Sequence, residues 1–106
     1  MFNFKANKES LKPMTLPINY DEAHWSVKKK AREQYVVEQK GKCQHCKELL
    51  INQPSKEVIG KAINRLLFPL GFFNSPIHLH HDHKTGLTIG AVHAHCNAYL
   101  WQYLGQ

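Results

Sequence analysis

"HLHHDHKTGLTIGAVHAHCNAYLW", residues 78–101, gathers six of the chain's eight histidines with an aspartate, a cysteine and an asparagine. Imidazole titrates nearest neutral pH and is the commonest metal ligand, so a run this dense has the means for proton transfer and metal binding. The run is interrupted, lies inside the chain and is threaded with Leu79, Leu87 and Ile89, which a purification tag is not. A second ligand pattern overlaps it. Cys43-x-x-Cys46 has the spacing by which a turn presents two thiolates to one tetrahedral ion. His93-x-x-Cys96 repeats that spacing where a strand hands over to a helix. Cys43, Cys46, His93 and Cys96 together form a Cys₃His set, expected to hold a structural Zn²⁺ and to close residues 47–92 into a long loop. His45 and His95 are rival ligands, each immediately beside a better-spaced one, and inert buried thiols are the bland alternative. Binding by a structural zinc is folding free energy, which suits a chain short of core.

The 106 residues suit one compact domain, and at this size a metal often supplements the core. A formal charge of +6 and a pI near 9.4 favour an anionic partner. Nucleic acid is the most economical one, since phosphates bind lysine and arginine whatever the base sequence. No segment approaches the roughly 20 apolar residues that span a bilayer. "MFNFKANKES" also lacks the apolar run of a secretory signal. The expectation is an intracellular protein without a membrane partner. Three cysteines cannot all pair within one chain, so metal ligation is a better reading than a disulfide framework.

The elements that must position these residues follow from periodicity. Residues 1–20, broken by Pro13 and Pro17, read as an arm or lead-in, and residues 21–106 as the domain proper. Tyr20 to Gln39 reads as a helix with Asp21 as its cap and His24 in the first turn. Trp25, Val27, Ala31, Tyr35 and Val36 form its apolar stripe, and Gly41 ends it. Lys28, Lys29, Lys30 and Arg32 are placed on its outer face as DNA-binding candidates, a merely solvated face being the alternative. In "SKEVIGKAINRLLFPLGFF", Val58, Ile59, Ala62, Ile63, Leu66 and Leu67 recur at the spacing of a packing helix, weakened at Gly60 and ended by Pro69. Strands are expected at Ile77–His81 and Leu87–Val92 around the hairpin loop "DHKTG". A last helix, Ala94–Leu104, should bury Ala98, Leu100, Trp101 and Leu104. His78 and His24 read as surface residues of a strand and a helix. The class is α+β.

The pattern C-x-x-C … HHDHKTG … H-x-x-C-N resembles the HNH nucleases, also called ββα-metal or His-Me finger nucleases. It is most similar to their recombination endonuclease VII branch, in which Cys-x-x-Cys, Asp-His-Asp-His-x-x-Gly and Cys-x-x-Cys-Asn follow one another. The resemblance covers residues 41–100 or so. It implies a small zinc-stabilised ββα-metal domain with flanking helices, and a metal-dependent endonuclease that hydrolyses DNA phosphodiester bonds with one catalytic divalent ion. By position, His81 takes the place of the general base and His80 that of the first ligand of the catalytic metal. Asn97 takes that of the second ligand, and His83 that of a histidine near the phosphate. For His83, a loop residue bonded to its own turn is the alternative. Asp82 matches an aspartate to which no role is assigned. Anchoring Cys96 would fix the first turn of the last helix and so aim Asn97.

Two departures bear on the chemistry. His80 stands where the branch has aspartate, which should shift the metal preference toward Mn²⁺, Co²⁺ or Ni²⁺ relative to Mg²⁺. His93 stands where the branch has cysteine, leaving the zinc site one negative charge short of Cys₄. The resemblance fits an intracellular setting, the cytoplasm, that of a phage-infected host being one candidate. It leaves open whether duplex, junction, nicked or single-stranded DNA is the substrate, and whether the protein works as monomer or homodimer. The rival from another class is a zinc-stabilised nucleic-acid-binding module without chemistry. His81 separates the two, because a mere binder needs no base beside a second metal site.

Overall fold

The computed structural model describes residues 13–106. Most of the expected lead-in thus lies outside the described residues. Helix α1 runs Trp25–Glu38, the short helix α2 Lys56–Ile59, strands β1 and β2 Ile77–His81 and Thr88–His93, and helix α3 Ala94–Leu104. The two strands form one antiparallel sheet, so the molecule is a small α+β protein. Among the described residues no helix is long and apolar enough to cross a membrane.

Helix α1 begins later than its periodicity implies. His24, not Asp21, is its N-cap, with Nδ1 accepting from the Ser26 amide at 3.2 Å. Asn19 draws the preceding turn back on itself by accepting from the Glu22 amide at 3.2 Å. At the other end the helix closes in a Schellman arrangement. Lys40 donates to the Val37 carbonyl at 3.0 Å and Gly41 to the Val36 carbonyl at 2.9 Å, with both residues at positive φ. Gly41 therefore sits just past the end of the helix, as its identity suggests.

The second amphipathic helix is not formed as expected. Gly60 caps α2 after a single turn, and the chain resumes only as a 3-10 turn at Arg65–Leu67. Of the six apolar residues at helical spacing, Val58 alone is buried, while Leu66 is 93% exposed. Gly60 follows too few turns for a helix to be stable without tertiary support. The hairpin is close to expectation: β1 has the anticipated bounds and β2 is displaced by one residue. Asp82 organises its loop, with Oδ1 accepting from the Lys84 amide at 2.7 Å and the Thr85 amide at 3.0 Å. Gly86, at φ +79°, completes the turn. The register slips between His80 and His81, which pair with Gly90 and Thr88, so a bulge twists the end of β1 that carries the histidines.

Residues just before α1 are tied to this hairpin. Thr88 donates to the Ile18 carbonyl at 3.0 Å, and Tyr20 to the Gly86 carbonyl at 2.7 Å. The Thr88 hydroxyl is shared between the Ile18 amide at 3.0 Å and Tyr35 Oη at 2.9 Å, which satisfies a buried polar group from two elements at once. The core lies between hairpin and helices: Ala31 and Tyr35 from α1, Val58 from α2, Leu79, Ala91 and Val92 from the sheet, and Cys43, Leu50 and Cys96 around them. Helix α3 has the expected bounds and buries Ala98 and Leu100. Trp101 and Leu104 do not join the core; they are about half exposed.

Candidate metal centre and histidine groove

Two clusters flank the hairpin. At the β2–α3 junction, Cys43, Cys46, His93 and Cys96 bring their four ligand atoms within 4.8 Å of one another, a Cys₃His cluster that could hold a metal ion such as zinc. The backbone builds it. Cys43 donates to the Glu48 carbonyl at 2.8 Å and Lys47, at positive φ, to the Cys43 carbonyl at 3.1 Å, which folds the cysteine turn tightly. Gln44 then donates to the Ala91 carbonyl at 2.9 Å, docking that turn on β2. The Gln39 amide reinforces the contact by bonding both the amide and the carbonyl of Ala91, each at 2.9 Å. So close an approach requires Gly90, where a Cβ would come within 2.8 Å of the Gln39 and Gln44 side chains.

The donor set suits zinc in type, and its two N···S edges to His93 suit it in distance. Tetrahedral bonds of roughly 2.3 Å to sulfur and 2.0–2.1 Å to nitrogen imply N···S edges of about 3.6 Å. His93 Nδ1 lies 3.5 Å from Cys46 Sγ and 3.6 Å from Cys96 Sγ. His93 Nε2 donates to the Leu49 carbonyl at 2.9 Å, which turns the Nδ1 lone pair toward the thiols. Although His93 occupies the N-cap position of α3, its ring makes no capping bond. A side-chain hydrogen bond with Cys96 holds the Cys43 thiol down at about 4, and the same contact, followed by burial, pushes Cys96 up. Thiols this crowded share their protons unevenly, and a divalent cation would relieve the crowding. All three cysteines are free of disulfides. The rivals lie elsewhere: His45 tilts against Tyr99 at 5.6 Å, while His95 Nε2 is buried without a hydrogen-bond partner.

The second cluster lines a groove of about 740 Å³ between α1, the 67–75 segment and the hairpin. His81, His83, Asn97 and His78 all line it. His80 does not; at 3% exposure it lies behind the groove surface, with Asn97 close enough to hydrogen-bond its ring. Burial lowers the pKa of His80; the bond from Asn97 opposes it, and the neighbouring His81 and His83 add smaller decreases. Burial and then the neighbouring His83 lower that of His81. Both shifts favour the neutral imidazole, the form with a lone pair available.

The His81 ring lies flat on the Tyr20 ring, at 3.9 Å between centroids and 5° between planes, and His83 meets it edge-on at 4.8 Å. Lys28 Nζ stands 3.9 Å from the Tyr20 centroid. Tyr20 thus contacts both His81 and the Lys28 ammonium. Asn97 Nδ2 donates to His78 Nδ1 at 3.1 Å, which fixes the direction of its amide. His78 is therefore not a surface residue but a half-buried partner of Asn97. Its place on the strand two residues before His80 was the available signal. Tyr20 gave none, being far from the histidines in sequence and outside every motif.

The basic residues do not share one face. Trp25, Lys28, Lys29 and Arg32 line the groove at positions i, i+3, i+4 and i+7, one stripe of a 3.6-residue helix, while Lys30 points elsewhere. Trp25, expected in the apolar stripe, is instead 69% exposed within this basic one. Asp82 is spent on its loop, and His83 borders the groove rather than bonding its own turn. No family model, no curated protein and no solved structure matches the chain.

Proposed function

We propose that the protein is a metal-dependent endonuclease of the HNH kind that hydrolyses DNA phosphodiester bonds in this groove. The observation that carries the reading is the convergence of His81, His83 and Asn97 with Lys28, Lys29 and Arg32 on one concave surface. The β-hairpin followed directly by a helix, with a Cys₃His cluster at the junction, supports it. Hydrolysis of a phosphodiester needs a nucleophilic water, a base, and positive charge on the phosphate and the leaving oxygen. His81, whose neutral form burial and His83 favour, takes a proton from water as the oxygen attacks phosphorus. The P–O bond to the leaving oxygen then breaks, and that oxygen acquires a proton from solvent. His83, edge-on to His81, would hydrogen-bond the phosphate. His80 through imidazole nitrogen and Asn97 through its amide oxygen would hold a divalent ion, which supplies positive charge to the phosphate. Tyr20 keeps the base in one orientation, and His78 does the same for the amide of Asn97. The Cys₃His cluster, with zinc, would stiffen the first turn of α3, from which Asn97 projects.

A zinc-stabilised nucleic-acid binder without chemistry is the second reading, favoured by the burial of His80 behind the groove. His81→Ala separates the two. Plasmid nicking by the variant should fall about 10²–10⁴-fold, the usual worth of a general base, while its DNA affinity stays near that of the wild type. Near-normal cleavage by a well-folded His81→Ala protein would remove His81 from the mechanism.

A further inference from the structure

We infer that the groove takes an unpaired DNA strand, with its bases on aromatic side chains and its phosphates on the basic stripe of α1. This rests on the nucleic-acid reading above and names the form of substrate. Three observations carry it. The stripe that presents Lys28, Lys29 and Arg32 to the groove begins with Trp25, an indole 69% exposed where periodicity calls for a packing residue. A second aromatic wall lines the same groove. Phe68 meets Phe72 at 4.7 Å and Trp101 edge-on at 5.7 Å, and Trp101 remains 43% exposed. The third is size. A volume of about 740 Å³ falls among pockets that enclose a single organic molecule, roughly 300–1,000 Å³.

A duplex presents phosphates and groove edges to a protein, and its base faces are stacked away. Across the mouth of this groove it would meet the cations and leave both aromatic walls unused. An unpaired strand uses both: its phosphates pair with the stripe, and its unstacked bases find π-faces, a combination that binds single strands with little sequence preference. The His81 end of the hairpin borders the same space, so a phosphate of the unpaired strand is the one within reach of the base.

The test is a binding comparison without added divalent ion, using the full chain. One probe is a labelled oligothymidylate of about 12 nucleotides, within the roughly 4–16 that one single-strand-binding module covers. The other is a duplex of equal length. The oligothymidylate should bind at least about tenfold more tightly and quench the tryptophan emission. Trp25→Ala, which removes an exposed side chain, should weaken oligothymidylate binding by roughly 5- to 150-fold, the effect of removing one base stack, and leave duplex binding within about twofold. Phe72→Leu, which keeps an apolar side chain in place, should weaken it in the same selective way. Equal affinity for both probes, or equal weakening on both in Trp25→Ala, would overturn the proposal. The nuclease reading fails separately: a protein that prefers oligothymidylate but cuts no DNA with any ion keeps the groove and loses the chemistry. One that cuts plasmid without that preference does the reverse.

Discussion

The two ends of one β-hairpin use histidine in opposite ways. At the Ile77–His93 end, His93 is closed in: buried, bonded through Nε2 to the Leu49 carbonyl, and within 3.6 Å of two sulfurs. At the His81–Thr88 end, His81 is half open, held by the face of Tyr20 and flanked by His83 along a groove. The first arrangement saturates its ligand with protein atoms, as structural metal sites do. The second leaves positions for something else, as sites of chemistry must. On the proposed reading the same residue type would serve frame and function, its role set by the backbone that surrounds it. Around the cysteines the backbone supplies a tight turn, a positive-φ lysine and a glycine that lets Gln39 and Gln44 approach; around His81 it supplies a bulge.

The closed end should break first and most completely. Cys43→Ser and Cys96→Ser each remove a central sulfur, and structural zinc is worth roughly 10–16 kcal/mol in small zinc-dependent folds at neutral pH, as large as such a domain's whole stability. The variants are expected to lose both the metal and the cooperative melt. Elemental analysis of wild-type protein purified without added metal should find about one zinc per chain. A zinc-free wild type that melts cooperatively would reassign the cluster to plain core.

At the open end, damage should reach rate before stability. Tyr20→Leu removes the stack that orients His81, and misplacing a catalytic group by about 1 Å can cost on the order of 10²-fold. We expect a fall of that order in kcat with KM little changed, restored by Tyr20→Phe, which keeps the aromatic face. A Phe variant as slow as the Leu variant would show that the phenol hydroxyl, not the stack, matters. Smaller again are the stripe effects. Replacing Lys28, Lys29 or Arg32 with alanine should reduce the slope of log K against log salt by about one unit for each phosphate that is no longer neutralised, whereas Lys30→Ala should leave it unchanged. Equal slopes for Lys29→Ala and Lys30→Ala would dissolve the distinction between the two faces of α1.

Much of this was legible in the residues. Ligand spacing named the Cys₃His set, because two C-x-x-C-like turns constrain geometry locally. The alternation in "IHLHH", the "DHKTG" loop and the apolar run of α3 likewise carry their own local signal. What failed to show was tertiary. Helical spacing from Val58 to Leu67 promised a helix, but Leu66 is left 93% exposed, and Gly60 stops the helix after one turn. Asp21 is a good capping residue by type, yet the tie between Tyr20 and Gly86 delays α1 until His24. Composition placed four basic residues on a single face; the helical angle puts Lys30 off it and Trp25 on it. Tyr20 reaches His81 only because Ile18 and Tyr20 run beside the hairpin, a pairing that neither stretch announces alone.

The most direct measurement is plasmid nicking by zinc-loaded wild-type protein with Mg²⁺, Mn²⁺, Co²⁺ and Ni²⁺ at equal, non-saturating concentrations, repeated with His80→Asp. An imidazole and an amide oxygen, without a carboxylate, should hold Mg²⁺ weakly and later first-row ions better. The account predicts faster cleavage with Mn²⁺, Co²⁺ or Ni²⁺ than with Mg²⁺, and a shift back toward Mg²⁺ in His80→Asp. The same ranking in both proteins would remove His80 from the ion's ligands. No cleavage of plasmid or of a single-stranded circle with any ion, by protein that carries its zinc and binds DNA, would contradict the nuclease reading.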